Sequence, residues 1–230
     1  MKNYVNFKIF LLLLAMLALV FNGRFWIPED YLQKLWILSL PTGIIASEML
    51  RRRNPWGHMF NFVAAMLFIA YYPRYMHFFG EFLAWALALT SMAGFFIWTF
   101  RELRNDNGAK FRPMTAMPMT RALVFIGILA TAALTWDYGI DWTLHYISTY
   151  AAFTGTILII NRKIEGWLLW AVDCVIGGVI FINALATADP MLWLWFLDCA
   201  AGILICAAGF ITWRRASQNP GDYTPGRPSI

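Results

Sequence analysis

The sequence predicts an all-α membrane protein of about eight transmembrane helices, and three observations carry that expectation. Of its 230 residues, 60% are hydrophobic and only 13% are charged, against roughly half and a quarter in a soluble domain. The apolar residues gather in stretches of about 17 to 24, enough to cross a hydrocarbon core about 30 Å thick at about 1.5 Å of rise per residue. The charges lie between the stretches, and the basic ones fall on one side. Backbone groups in lipid must be paired within their own segment, so stretches of this kind are helices.

In order, the spans read as roughly 7–22, 32–50, 57–73, 78–100, 119–137, 141–161, 166–187 and 190–213. Lys2 and Lys8 precede the apolar run of the first, a pattern that also describes a signal peptide; no clean small-x-small cleavage site follows it. Gly23 and Pro28 separate it from the second span, inside which Pro41 is expected to make a kink. Pro73 divides the third from the fourth, and the run from Arg101 to Pro118 is the one long polar linker. Asp189-Pro190 opens the last span, and the Gly- and Pro-containing tail after Arg215 is expected to be disordered. With the N-terminus inside, 15 of the 18 basic residues fall on cytoplasmic segments, and only Arg24, Lys34 and Arg74 fall outside. That asymmetry places both termini in the cytoplasm and accounts for the net charge of +5 without a nucleic-acid partner. Glu48 is expected to pair with Arg51 or Arg52. Trp98 and Trp213 read as interfacial anchors, and Cys174, Cys199 and Cys206 as small packing residues.

An internal repeat underlies the later spans. Gly94-Phe95-Phe96-Ile97-Trp98 ends the fourth as Gly209-Phe210-Ile211-Thr212-Trp213 ends the eighth. Each half also carries a basic turn before a Trp-bearing helix start, Arg51-Arg52-Arg53-Asn54-Pro55-Trp56 in one and Arg162-Lys163-Ile164-Glu165-Gly166-Trp167 in the other. Matching polar residues pairs Asn61 with Asp173. Three spans recurring around one connecting span make the repeats parallel, a plan used by transporters with a site near mid-membrane where the repeats meet. The chain divides into an N-terminal helix with its outer loop (1–31), a first repeat (32–101), a linker and connecting helix (102–140), a second repeat (141–215) and a tail (216–230).

A basic pair, then Trp167-Leu168-Leu169-Trp170, then Asp173 one turn on, resembles the second-half motif of the PnuC vitamin transporters; Asn54-Pro55-Trp56-Gly57 and Asn61 resemble the first half. The resemblance covers about 32–213 and leaves the first span as an addition. It implies a three-plus-one-plus-three fold related to the SWEET proteins, an inner-membrane location and a homotrimer. It also implies ion-independent passage of a nicotinamide riboside-like vitamin that a cytosolic kinase traps, with no cofactor and no catalysis. Typical members carry a Gln and a Tyr on the third helix of the first half. Here Phe82 to Leu89 has neither, and Asp198 lies in the eighth span instead. A changed lining leaves thiamine and riboflavin open as substrates.

The candidate binding residues follow from that motif and from polar groups inside spans. Trp167, Trp170 and Asp173 recur at spacing three, so they share a helix face. Two indoles and a carboxylate suit a flat, cationic heteroaromatic ring. The alternative is that the indoles lie at the cytoplasmic interface. Carboxylates are costly in lipid and point to function, or to hydrogen-bonded contacts between helices; Asp173 and Asp198 carry both readings, as do Asn61 and Asn183. Tyr150 and Thr154, one turn apart, suit a ribose or a helix contact, and Trp56 completes the set. His58, His77 and His145 are too scattered for a metal cluster, and no phosphate loop or nucleophile elbow is present. The remaining class is a non-transporting scaffold or sensor subunit.

Overall fold

Each apolar stretch from the second onward becomes a helix. The structure, a computed structural model, describes residues 31–71, 78–104, 113–184 and 191–218, with side chains at 38–70, 81–101, 113–180, 182 and 194–218. Helix α1 is Tyr31–Arg51, α2 Trp56–Tyr71, α3 Phe78–Arg104, α4 Pro118–Thr135, α5 Ile140–Ile160, α6 Glu165–Ala184 and α7 Met191–Gln218. The first predicted span, the Pro73 break and the tail beyond Gln218 lie outside the described residues. Helices α3 and α7 run about a turn further than their apolar stretches, because the helix continues into the polar residues that follow. Glu81–Arg101, Pro118–Tyr138, Ile140–Ile160 and Leu194–Gln218 are long and apolar enough to cross a membrane; Trp56–Ala70 is a shorter apolar helix.

The packing order makes a ring. Helix α1 packs on α2 and α2 on α3; α5 packs on α6 and α6 on α7; α3 closes against α5, and α7 against α1. Helix α4 stands outside against α5, with Leu123, Phe125, Ile126 and Leu129 exposed as a lipid-facing surface requires. A 3-10 turn at Trp136–Tyr138 joins it to α5 through Gly139, whose φ of 91° favours a residue without a side chain. Pro41 lies inside α1 without ending it, and Thr42 and Ser47 donate to the carbonyls of Leu38 and Gly43 one turn back. The polar linker is pinned where the chain passes from α5 to α6. The Met114 N–H donates to Arg162 O and the Ile164 N–H to Met114 O. Glu165 accepts from the Ala116 N–H and from Arg121, at 2.8 and 2.6 Å.

Helices α1 and α5 end in the same way. Past Arg51 and Ile160 the chain turns through Arg53 and Arg162, both left-handed, with φ of 64° and 60°. Arg53 N–H donates to Leu50 O and Asn54 N–H to Met49 O; Arg162 N–H donates to Ile159 O and Lys163 N–H to Leu158 O. These are Schellman closures of two helix ends. Each end receives an indole N–H from the opposite three-helix group, and Ile160 O also accepts from Arg101 of α3 at 3.3 Å. Trp98 of α3 donates its indole N–H to Ile160 O, and Trp213 of α7 donates to Arg51 O. Both indoles are buried, which corrects the expectation of interfacial anchors. A helix's last carbonyls lack partners within it, and these N–H groups supply two. Glu48 does pair with Arg51 and Arg52, at 2.6 Å each.

Helices α5 and α6 cross with backbones touching. A Cβ at Gly166 meets Gly155 O at 2.7 Å and Ile159 N at 2.9 Å, main-chain atoms that cannot swing aside. Gly166→Ala is therefore expected to cost about 1–3 kcal/mol through overpacking. Thermal unfolding in detergent checks this, with Gly178→Ala, where a Cβ meets nothing within 4 Å, expected to leave the midpoint unchanged.

Candidate functional site

The six ring helices line a cavity of about 410 Å³, to which every one of them contributes side chains. That size suits a small organic solute. Helix α5 presents His145, Ser148, Thr149, Ala152 and Thr156, a stripe at helical spacing. Helix α6 adds Trp170, Asp173, Cys174 and Gly177, and α7 adds Trp195, Asp198, Cys199, Gly202 and Cys206. From α1 and α2 come Ser39, Ser47, Asn61, Ala64 and Phe68, and from α3 only Ala84 and Leu87. No Lys or Arg is among these lining residues.

The polar groups are held by their neighbours. Trp170 donates its indole N–H to Ala152 O at 3.1 Å and to Thr156 Oγ1 at 3.2 Å, which fixes its ring across α5. Gly155 leaves room for that ring, since a Cβ there meets Trp170 Cδ1 at 2.6 Å. The Ser148 hydroxyl donates to Asp173 Oδ1. Asn61 donates through Nδ2 to Ser91 Oγ at 2.8 Å, and Ser91 in turn donates to Leu87 O. Asp173 and Asp198 line the cavity from adjacent helices. The three cysteines are free thiols, and all three line the cavity.

Four of the sequence-predicted site residues therefore meet at the cavity: Trp170, Asp173, Asn61 and Asp198. Four others do not. Trp167 is fully buried beneath it, with Gly209 against its ring and Trp213 edge-on at 5.5 Å. Tyr150 and Thr154 lie on the other face of α5. The Tyr150 hydroxyl points at Gly127 of α4, and Thr154 donates to Tyr150 O. Trp56 is 54% exposed and tilts against Phe95. The Asn183 side chain lies outside the described residues. Sequence reasoning missed Ser148, Thr149, Thr156, His145 and Trp195. For Trp195 the signal was present, because Trp195 and Asp198 repeat the spacing of Trp170 and Asp173.

Below the cavity, on the side where α1 and α5 end, aromatic rings follow one another across the pair of three-helix groups. His58 meets Trp98 edge-on at 4.6 Å, Trp98 lies 6.3 Å from Trp213, and Trp213 leads to Trp167 and so to Trp170. Among the described residues, no group of three or more His, Cys, Asp or Glu side chains is placed to hold a metal ion. What the arrangement offers is recognition: an oriented indole, two acidic side chains, several hydroxyls and the Asn61 amide lining one cavity.

The sequence model of the nicotinamide mononucleotide transporter family matches residues 34–215. The fold is similar to that of a crystal structure of the vitamin B3 transporter PnuC, with a TM-score of 0.65 and 15% identity, over 90% of this chain and 90% of that one. No curated protein matches the sequence.

Proposed function

Because this chain belongs to the nicotinamide mononucleotide transporter family, we propose that it carries out facilitated uptake of nicotinamide riboside or a closely related cationic vitamin. The chain is a multi-pass membrane transporter and not an enzyme. The proposal adds substrate and mode: passage down the solute's own gradient through a homotrimer in the inner membrane, with cytosolic termini and retention by a cytosolic kinase. The observation that carries it is the cavity's charge. Two carboxylates and an oriented Trp170 line it, and no Lys or Arg does. A pyridinium or thiazolium ring gains from both features. A phosphate would enter beside carboxylates with no cation to pair it, which is costly in a low dielectric. The unphosphorylated riboside therefore fits better than the mononucleotide.

The two three-helix groups, α1–α3 and α5–α7, are read as repeats within the domain limits drawn from the sequence. The reciprocal Trp98 and Trp213 bonds and the matching turns at Arg53 and Arg162 support this. So do Gly94 against His58 and Gly209 against Trp167. This register pairs Asn61 with Trp170, and Ala64 with Asp173, about one turn away from the match made on polar residues. Rings and acids then belong to the second group, and Ser39, Ser47 and Asn61 to the first. Rocking of one group against the other would expose the cavity to each side in turn.

A thermal-shift series on the purified protein tests the reading, using nicotinamide riboside, thiamine, riboflavin and nicotinamide mononucleotide. A vitamin cation at about a hundredfold excess over Kd is expected to raise the midpoint by about 5 °C or more, and the mononucleotide to leave it unchanged. A protein that none of the four stabilises would be a scaffold or sensor instead.

A further inference from the structure

We propose that the aromatic seam below the cavity is its inner gate, and that His58 and the Trp167 indole N–H, buried there without hydrogen bonds, keep the closed state from being too stable to open. This rests on the transport reading above and names the groups that govern release. The seam is where the two three-helix groups are bonded to each other. Trp98 of α3 donates to Ile160 O at 3.0 Å, Arg101 donates to the same carbonyl at 3.3 Å, and Trp213 of α7 donates to Arg51 O at 3.4 Å. The rings of Trp98 and Trp213 also meet, with centroids 6.3 Å apart. All of these contacts join α1–α3 to α5–α7, so a cavity that opens on the side where α1 and α5 end must break them.

The seam also carries a cost. His58 is the third residue of α2 and Trp167 the third of α6, and both are fully buried. Neither the two ring nitrogens of His58 nor the indole N–H of Trp167 has a hydrogen-bond partner among the described residues. The imidazole lies edge-on to Trp98 at 4.6 Å and against Gly94, and the indole lies against Gly209. Among apolar rings an imidazole is neutral and holds one donor and one acceptor. Three polar groups are therefore sealed away unpaired, and such groups destabilise the state that buries them. Parting the helix groups admits water to all three, which offsets the loss of the bonds across the seam. The closed state is then favoured by a small margin, as a gate that opens in every cycle requires. Trp167 also lies 5.6 Å from Trp170, which lines the cavity, so the rings of the gate begin beside the ligand.

His58→Leu and His58→Phe test the gate, in the purified protein and in liposomes. Either removes two unpaired groups from the closed seam, and phenylalanine keeps a ring edge for Trp98. The thermal midpoint is expected to rise by about 2 °C or more. Uptake of labelled nicotinamide riboside at saturating concentration is expected to slow by about fivefold or more. The Kd for the riboside, by calorimetric titration, is expected to stay within about threefold, because His58 is not among the lining residues. Trp98→Phe carries the opposite sign. It removes a bond made only in the closed state, so the midpoint is expected to fall while the saturating rate is held or raised. A midpoint that falls in both His58 variants, or riboside binding lost in both, makes His58 a structural residue and overturns the proposal. A raised midpoint with an unchanged saturating rate overturns it as well, as does slower uptake by a Trp98→Phe protein that still binds the riboside. Neither binding nor saturable uptake of the riboside by the unsubstituted protein overturns the vitamin reading beneath it, an outcome separate from the others.

Discussion

Trp170→Ala is expected to bring uptake of labelled nicotinamide riboside to background while the protein still reaches the membrane. The ring lines the cavity and is tethered at 3.1 and 3.2 Å to Ala152 O and Thr156 Oγ1. A ligand stacked on it therefore meets a surface that is already ordered. Removing a central aromatic anchor of this kind costs about 2 kcal/mol or more, a rise of about thirtyfold or more in Kd. The same substitution opens a space beside Gly155, so a loss of uptake alone does not separate recognition from stability. Trp170→Phe separates them. It keeps an aromatic face and gives up the N–H donor and part of the ring area, so it is expected to retain partial uptake with a raised half-saturation concentration. Titration of both variants with the riboside checks the order: unsubstituted protein tightest, Phe weaker, Ala weakest. Normal uptake by Trp170→Ala would remove the ring from the site.

How far such a site is legible in the sequence depends on what distinguishes one helix face from another. Span positions were readable because length and hydropathy suffice: the stretches at 119–137 and 141–161 become Pro118–Thr135 and Ile140–Ile160. Facing was not, because a helix in lipid is apolar all round and gives no polar stripe to mark its outer side. On α5 the hydroxyl pair Tyr150 and Thr154 and the lining set Ser148, Thr149 and Thr156 differ by about half a turn, and nothing in composition ranks one over the other. Trp167 and Trp170 share a face by spacing, yet depth separates them. Gly209 lets α7 come up against the Trp167 ring, so that ring is sealed in the core while Trp170 reaches the cavity. The Gly-Phe-x-x-Trp match was legible as a repeat, but its purpose was not. Both tryptophans donate to the end of a helix in the other group, a contact about 60 residues away in one case and 160 in the other. Asp198 was visible as an acid inside a span, and its partner Trp195 passed unnoticed among twelve tryptophans.

Asp173→Asn is expected to remove most of the preference for a cation while leaving the local structure in place. Asparagine keeps an oxygen that can accept the Ser148 hydroxyl bond now made to Asp173, so the substitution subtracts the charge and little else. A charge-assisted contact in a partly dry site is worth about 1.5–3 kcal/mol, which corresponds to about 10- to 150-fold in the Kd of nicotinamide riboside. Its reduced form carries the same amide and ribose on an uncharged ring, so the ratio of the two affinities isolates the electrostatic part. The unsubstituted protein is expected to favour the cation, and Asp173→Asn to bring the ratio close to one. Ser148→Ala gives the complementary measurement. It removes the hydrogen bond and keeps the carboxylate, so the preference for the cation is expected to survive with a smaller loss of affinity for both ligands. If the asparagine variant still discriminates as the unsubstituted protein does, Asp173 does not supply the charge that selects the cation. Asp198, on the neighbouring helix and facing the same cavity, is then the carboxylate left to supply it, and Asp198→Asn should abolish the preference.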